Sequence, residues 1–66
     1  MKDKILKVVT DVLGIGATED MLFTGVTSLK MLQVIMALEE EGIEIPLEKV
    51  AKIKSMSDIF AFAQEV

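Results

Sequence analysis

The chain has no cysteine, no histidine, no tryptophan and no tyrosine, and a single proline among its 66 residues. Without cysteine there is no disulfide framework, no thiolate nucleophile and no cysteine-built zinc site. Without histidine the usual general base and the commonest metal ligand are both missing. Three phenylalanines are the whole aromatic complement, too few to make a stacking platform for nucleic-acid bases. No apolar run approaches the length of about 20 residues that a membrane span needs. The segment after Lys2 and Lys4 is broken by Lys7, Thr10 and Asp11, so it does not read as a signal peptide. The expectation is a cytoplasmic protein without membrane contact.

What remains is a soluble, globular composition, 52% hydrophobic and 27% charged. The net charge of −4 argues against binding to a phosphate backbone and favours partners with basic surfaces. The length suits one domain, residues 1–66. A domain this small buries only about 60% of the surface its unfolded chain exposes. That leaves little room for a deep, walled active site, and it argues against an enzyme working with Asp, Glu and Lys alone. A monomer is expected.

Apolar residues at Ile5, Leu6, Val8, Val9, Val12 and Leu13 recur in steps of three and four, predicting a helix from Lys2 to Leu13 that Gly14 and Gly16 stop. Ala17 to Thr27 is a connector with an apolar anchor at Met21, Leu22 and Phe23 and a turn at Gly25. A second helix is predicted from about Ser28 to Glu41, with Leu29, Leu32, Ile35, Met36 and Leu38 as its apolar stripe and Thr27 or Ser28 as its cap. Ile43 to Pro46 reads as an extended link, with no second strand to pair with it. Leu47 to Ile53 is a short third helix with Val50 and Ile53 inward. Ser55 to Val66 holds the last helix, capped by Ser57, with Asp58 in its first turn and Ile59, Phe60, Phe62 and Ala63 inward. The fold class is all-α, a four-helix bundle with three main helices and one short one.

Ser28 stands out within G25-V26-T27-S28-L29. An isolated serine here is ordinarily a helix cap. With no histidine in the chain it has no evident base to make it a nucleophile. Its position suits an attached anion, because a helix N-terminus offers free N–H groups and the positive end of the helix dipole. The run Glu39, Glu40, Glu41 reads first as a solvated helix end, and second, because it opposes the dipole there, as a partner surface. It is not a metal site, since consecutive helical residues do not converge on one point. The five methionines serve as gap fillers or as a deformable interior.

Taken together, G25-V26-T27-S28-L29, M36-A37-L38-E39-E40-E41, I43-E44-I45-P46 and S57-D58-I59-F60 resemble the acyl carrier protein family of phosphopantetheine-binding carriers over nearly the whole chain. The resemblance implies a small four-helix bundle that is not an enzyme. It implies a 4′-phosphopantetheine arm placed on Ser28 by a phosphopantetheinyl transferase that uses coenzyme A. The arm's thiol would carry acyl or aminoacyl groups as thioesters between loading ligases and synthases. The missing cysteine and histidine then cease to matter, because the cofactor supplies the sulfur and separate proteins the catalysis.

Several positions depart from the family's usual pattern. Thr27 replaces the Asp that commonly precedes the serine, and Lys30 and Gln33 stand where acids are common. The end of the second helix lacks an aromatic, and the loop before Ser28 is about one residue short. These departures imply a divergent, pathway-specific carrier. The residues expected at partner surfaces are Val26, Thr27, Leu29, Lys30, Gln33, Glu39 and Glu40. An acyl chain is expected to enter between the second and third helices, beside Met36, Ile45, Val50 and Ile53. The cargo stays open among fatty acyl, polyketide, amino acid and other acids. The alternative reading is a non-catalytic helical interaction module in which Ser28 only caps a helix.

Overall fold

Steps of three and four residues give the first helix, α1 (Lys2–Leu13), one inward side, on which Ile5, Val8 and Val9 are buried. The structure, a computed structural model, describes residues 2–65. Among these it contains three further helices, α2 (Ser28–Glu40), α3 (Leu47–Val50) and α4 (Met56–Phe62), and two short strands, β1 (Ile43–Glu44) and β2 (Gln64–Glu65). The helices form the expected small bundle. α1 packs along α2, and the core is closed by Phe23, Ile43, Ile45, Ile53, Met56 and Ile59. No polar or charged side chain of the described residues is buried, so no side-chain hydrogen bond or ion pair holds the interior.

The inward face of α2 differs from the expected one. Met31, Val34, Ile35 and Leu38 are buried, while Leu29, Leu32 and Met36 are exposed. Apolar residues lie on almost every side of this helix, so periodicity alone does not choose between its faces. α2 ends at Glu40, one residue short of the expected end, and Gly42 follows with φ +82°. In that left-handed conformation its N–H bonds Glu39 O at 3.0 Å and satisfies one of the helix's last carbonyls.

Three expectations about the second half of the chain are corrected. Ile43–Glu44 is a strand after all, pairing antiparallel with Gln64–Glu65 in the register Ile43 with Glu65 and Glu44 with Gln64. The partner strand exists because the last helix stops at Phe62: Ala63 turns extended, at φ −67° and ψ 136°. Expected helical residues thus become strand, and Val66 lies outside the described residues, as does Met1. The helix is capped by Ser55, not Ser57. Ser55 Oγ accepts from the Asp58 N–H at 3.3 Å, and Asp58 Oδ2 accepts from the Lys54 N–H at 2.9 Å, a reciprocal arrangement akin to a capping box. Finally, α3 covers four residues and not seven. Beyond Val50 the chain continues as turns, with Lys52 N donating to Lys49 O and Ile53 N to Val50 O.

Candidate functional site

The connector from α1 is pinned just before α2. The Phe23 side chain is buried, its N–H donates to Lys54 O at 2.9 Å, and the Met56 N–H donates to Met21 O at 3.0 Å. These bonds tie the loop to the approach to α4. Of the expected apolar anchor, Phe23 enters the core, Met21 is half-buried and Leu22 stays exposed. The chain then reverses at Phe23 to Val26, where Val26 N donates to Phe23 O at 3.1 Å and Gly25 takes φ +86°. That is the backbone a type II turn asks of its third residue, and glycine adopts it without strain.

This turn delivers Thr27 and Ser28 to the start of α2 in distinct roles. Thr27 is the cap, with extended φ −72° and ψ 160°, and its Oγ1 accepts from the Lys30 N–H at 3.1 Å. The first helical bond runs from Met31 N to Thr27 O at 2.9 Å. Ser28 is the first residue of the helix and is exposed. Its hydroxyl takes no part in the cap. The N–H groups of Ser28 and Leu29 have no acceptor among the described residues. No acidic residue stands in the first turn. An anionic group on Ser28 Oγ would meet unpaired amides and the positive end of the helix dipole.

Beside Ser28 opens a cleft of about 420 Å³. Its lining includes Thr27 and Ser28, Phe23, Met31 and Leu32, and Leu47, Val50 and Ile53. No charged residue lines it. Two of the four residues expected around an acyl chain, Val50 and Ile53, line this cleft; the other two do not. Met36 is 62% exposed and borders a separate shallow groove with Glu39 and Glu40, while Ile45 is buried in the core. The methionine beside Ser28 is Met31. It stands three residues after Ser28, and the i to i+3 neighbourhood on a helix was the available signal for it. Leu32, four residues after Ser28, shares that signal, whereas Leu47 lies on another helix and carries none.

The expected partner-facing residues divide into two groups. Thr27, Leu29, Lys30 and Gln33 are exposed on the first turns of α2, with Val26 half-buried before them, and Glu39 and Glu40 are exposed at its far end. Among the described residues no group of His, Cys, Asp or Glu could hold a metal ion. Among the described residues no helix is long and apolar enough to cross a membrane.

The sequence model of the phosphopantetheine attachment site family matches residues 3–63. The chain belongs to this family. It is 39% identical over 64 residues to an acyl carrier protein of Clostridium acetobutylicum, the match covering 86% of this chain and 83% of the relative. An acyl carrier protein of Nitratidesulfovibrio vulgaris is 38% identical over 69 residues, covering 94% and 91%. One of Akkermansia muciniphila is 32% identical over 73 residues, covering 100% and 91%. No solved structure matches the chain significantly. The chain is therefore a phosphopantetheine-bearing carrier and not an enzyme. The start of α2, with its free amides and exposed hydroxyl, fits the phosphate of such an arm.

Proposed function

We propose that this carrier, one domain over residues 1–66, bears its arm on Ser28 and passes acyl or aminoacyl thioesters between partner enzymes. The supporting observation is the division of labour at the start of α2. Thr27 Oγ1 takes the capping bond to the Lys30 amide, which leaves the exposed Ser28 hydroxyl free beside unpaired amides. The bound arm supplies the thiol that forms the thioester, and this chain supplies the anchoring oxygen, the positive helix end and the cleft. The partners in this reading are a phosphopantetheinyl transferase, a loading ligase and a synthase, and the carrier meets them as a monomer.

The apolar cleft favours acyl over polar cargo. Phe23, Met31, Val50 and Ile53 line it together with Ser28. The alternative reading, an interaction module with Ser28 as a cap, loses support because Thr27 does the capping. Co-expression with a broad-specificity phosphopantetheinyl transferase, followed by intact mass measurement, tests the assignment. The wild-type chain should gain the arm's mass and Ser28→Ala should not. An alanine variant that still gains it places the arm elsewhere.

A further inference from the structure

Ala61, Ala63, Gln64 and Glu65 are good helix formers, yet α4 stops at Phe62 and the chain turns extended at Ala63. Conflicts of this kind between local preference and fold concentrate at functional or strained sites. As far as Phe60 the helix is well fixed. Met56 and Ile59 are fully buried, and the Lys2 ammonium of α1 sits 5.2 Å from the centre of the Phe60 ring. Beyond that the hold is lighter. The Ala63 N–H donates to Ile59 O at 2.9 Å, and the two-residue pairing of β2 with β1 follows. Glutamate is depleted in strands, and each strand carries one, Glu44 and Glu65. A two-stranded pair this short is marginal by itself. It opens at a small fraction of the free energy that unfolds the bundle.

What this segment holds is α3. β1 leads into α3 through Ile45 and Pro46 alone, so the start of α3 lies where β1 is kept. Phe62 supplies a second tie, since the Lys49 ammonium of α3 lies 5.4 Å from its ring centre. α3 packs on α2 without burying any residue fully, and Leu47 is 79% exposed. Its own grip is therefore weak. Leu47, Val50 and Ala51 nevertheless line the cleft that Ser28 shares.

We infer that Phe62 and β2 form a strap that holds α3 against α2, and that release of the strap frees this wall of the cleft while α1, α2 and the first turn of α4 stay folded. Paired, the strap fixes the cleft. Unpaired, it lets α3 move away and the cleft widen. By linkage, whatever fits only the widened cleft favours the unpaired strap to the same degree.

Glu44 and Gln64 stand opposite each other in the strand register and are both exposed, so charge at position 64 tunes the strap without touching the core. Gln64→Glu places like charges across the pair and weakens it, whereas Gln64→Lys places opposite charges there and strengthens it. The test measures amide hydrogen exchange in the full chain without an arm. The reporting amides are Lys49, Lys52 and Ile53, which donate to Pro46 O, Lys49 O and Val50 O. They should exchange about two- to threefold faster in Gln64→Glu and slower by a similar factor in Gln64→Lys. Salt that shortens the Debye length to about 3 Å should erase most of both effects. In every form the Val9 amide of α1 should stay at least about tenfold better protected, which marks the opening of α3 as local. Exchange at Lys49, Lys52 and Ile53 that ignores both substitutions, or moves the same way in both, overturns the proposal. So does a Val9 amide no better protected than these three, since α3 then opens only with the whole bundle. Because the chain carries no arm in this measurement, loss of the Ser28 assignment leaves its outcome untouched.

Discussion

Thr27 and Ser28 are adjacent hydroxyl residues that the helix start treats differently, and substitution should separate their roles. Thr27→Ala removes the oxygen that holds the Lys30 amide and should cost about 1 kcal/mol in denaturant unfolding. The arm should still be accepted. Ser28→Ala removes an exposed hydroxyl with no capping bond and should stay within about 0.5 kcal/mol of wild type. It should take no arm. The reverse pattern, with Ser28→Ala the more destabilising, would mean that Ser28 is the cap. Gly25 offers a third residue-level test. A Cβ there would meet no atom within 4 Å, yet φ is +86°, so Gly25→Ala is penalised by backbone conformation and not by crowding. The loss should be about 1–2 kcal/mol, seen as a lower denaturation midpoint with the slope unchanged.

At the level of elements, α1 is legible in the sequence because its polar and apolar residues separate cleanly by face. Gly42 likewise marks the end of α2 through a conformation that glycine enters at little cost. The inward face of α2 is not legible, because exposed Leu29, Leu32 and Met36 look the same in sequence as buried Met31, Ile35 and Leu38. The β1–β2 pair is hidden for another reason. Ile43, Glu44 and Ile45 alternate as a strand does, but the pairing links positions 43 and 65, and no local pattern shows a partner strand at the end of the last helix. For the site, Ser28 was accessible from its motif, while the cleft depended on how α3 lies against α2. That short helix buries none of its residues fully. It is held by half-buried Val50 and by Lys49, whose ammonium sits 5.4 Å from the centre of the Phe62 ring in α4. Such a contact contributes about 0.5–1 kcal/mol at exposed sites. Lys49→Gln should therefore speed amide exchange in residues 47–50 by about two- to fivefold while leaving exchange in α1 unchanged. Equal acceleration in both helices would show that α3 opens only with the whole bundle.

For the whole molecule, the question is whether 66 residues can shelter a cargo and stay folded. Among the described residues the buried side chains are all apolar, so an apolar chain entering the cleft meets no buried polar side chain. Each methylene taken from water contributes about 0.8 kcal/mol, which a polar aminoacyl group cannot match. The cleft is lined by Met31, Leu32, Leu47, Val50 and Ile53 among others, and Met31 has the flexibility to move aside. A medium-length acyl group on the arm should raise the thermal midpoint by about 4 °C or more, the response of a domain this size to about 1 kcal/mol. Ala51→Leu, which adds bulk at an exposed position lining the cleft, should reduce the gain without deleting any core contact. Met36→Val lies outside the cleft and should leave the gain unchanged. These two variants distinguish insertion from non-specific coating of the surface, because coating depends on exposed apolar area and Met36 presents much of it. If the midpoint does not move on acylation, or if Met36→Val reduces the gain and Ala51→Leu does not, the chain lies on the outer face of α2 and the cargo travels unsheltered.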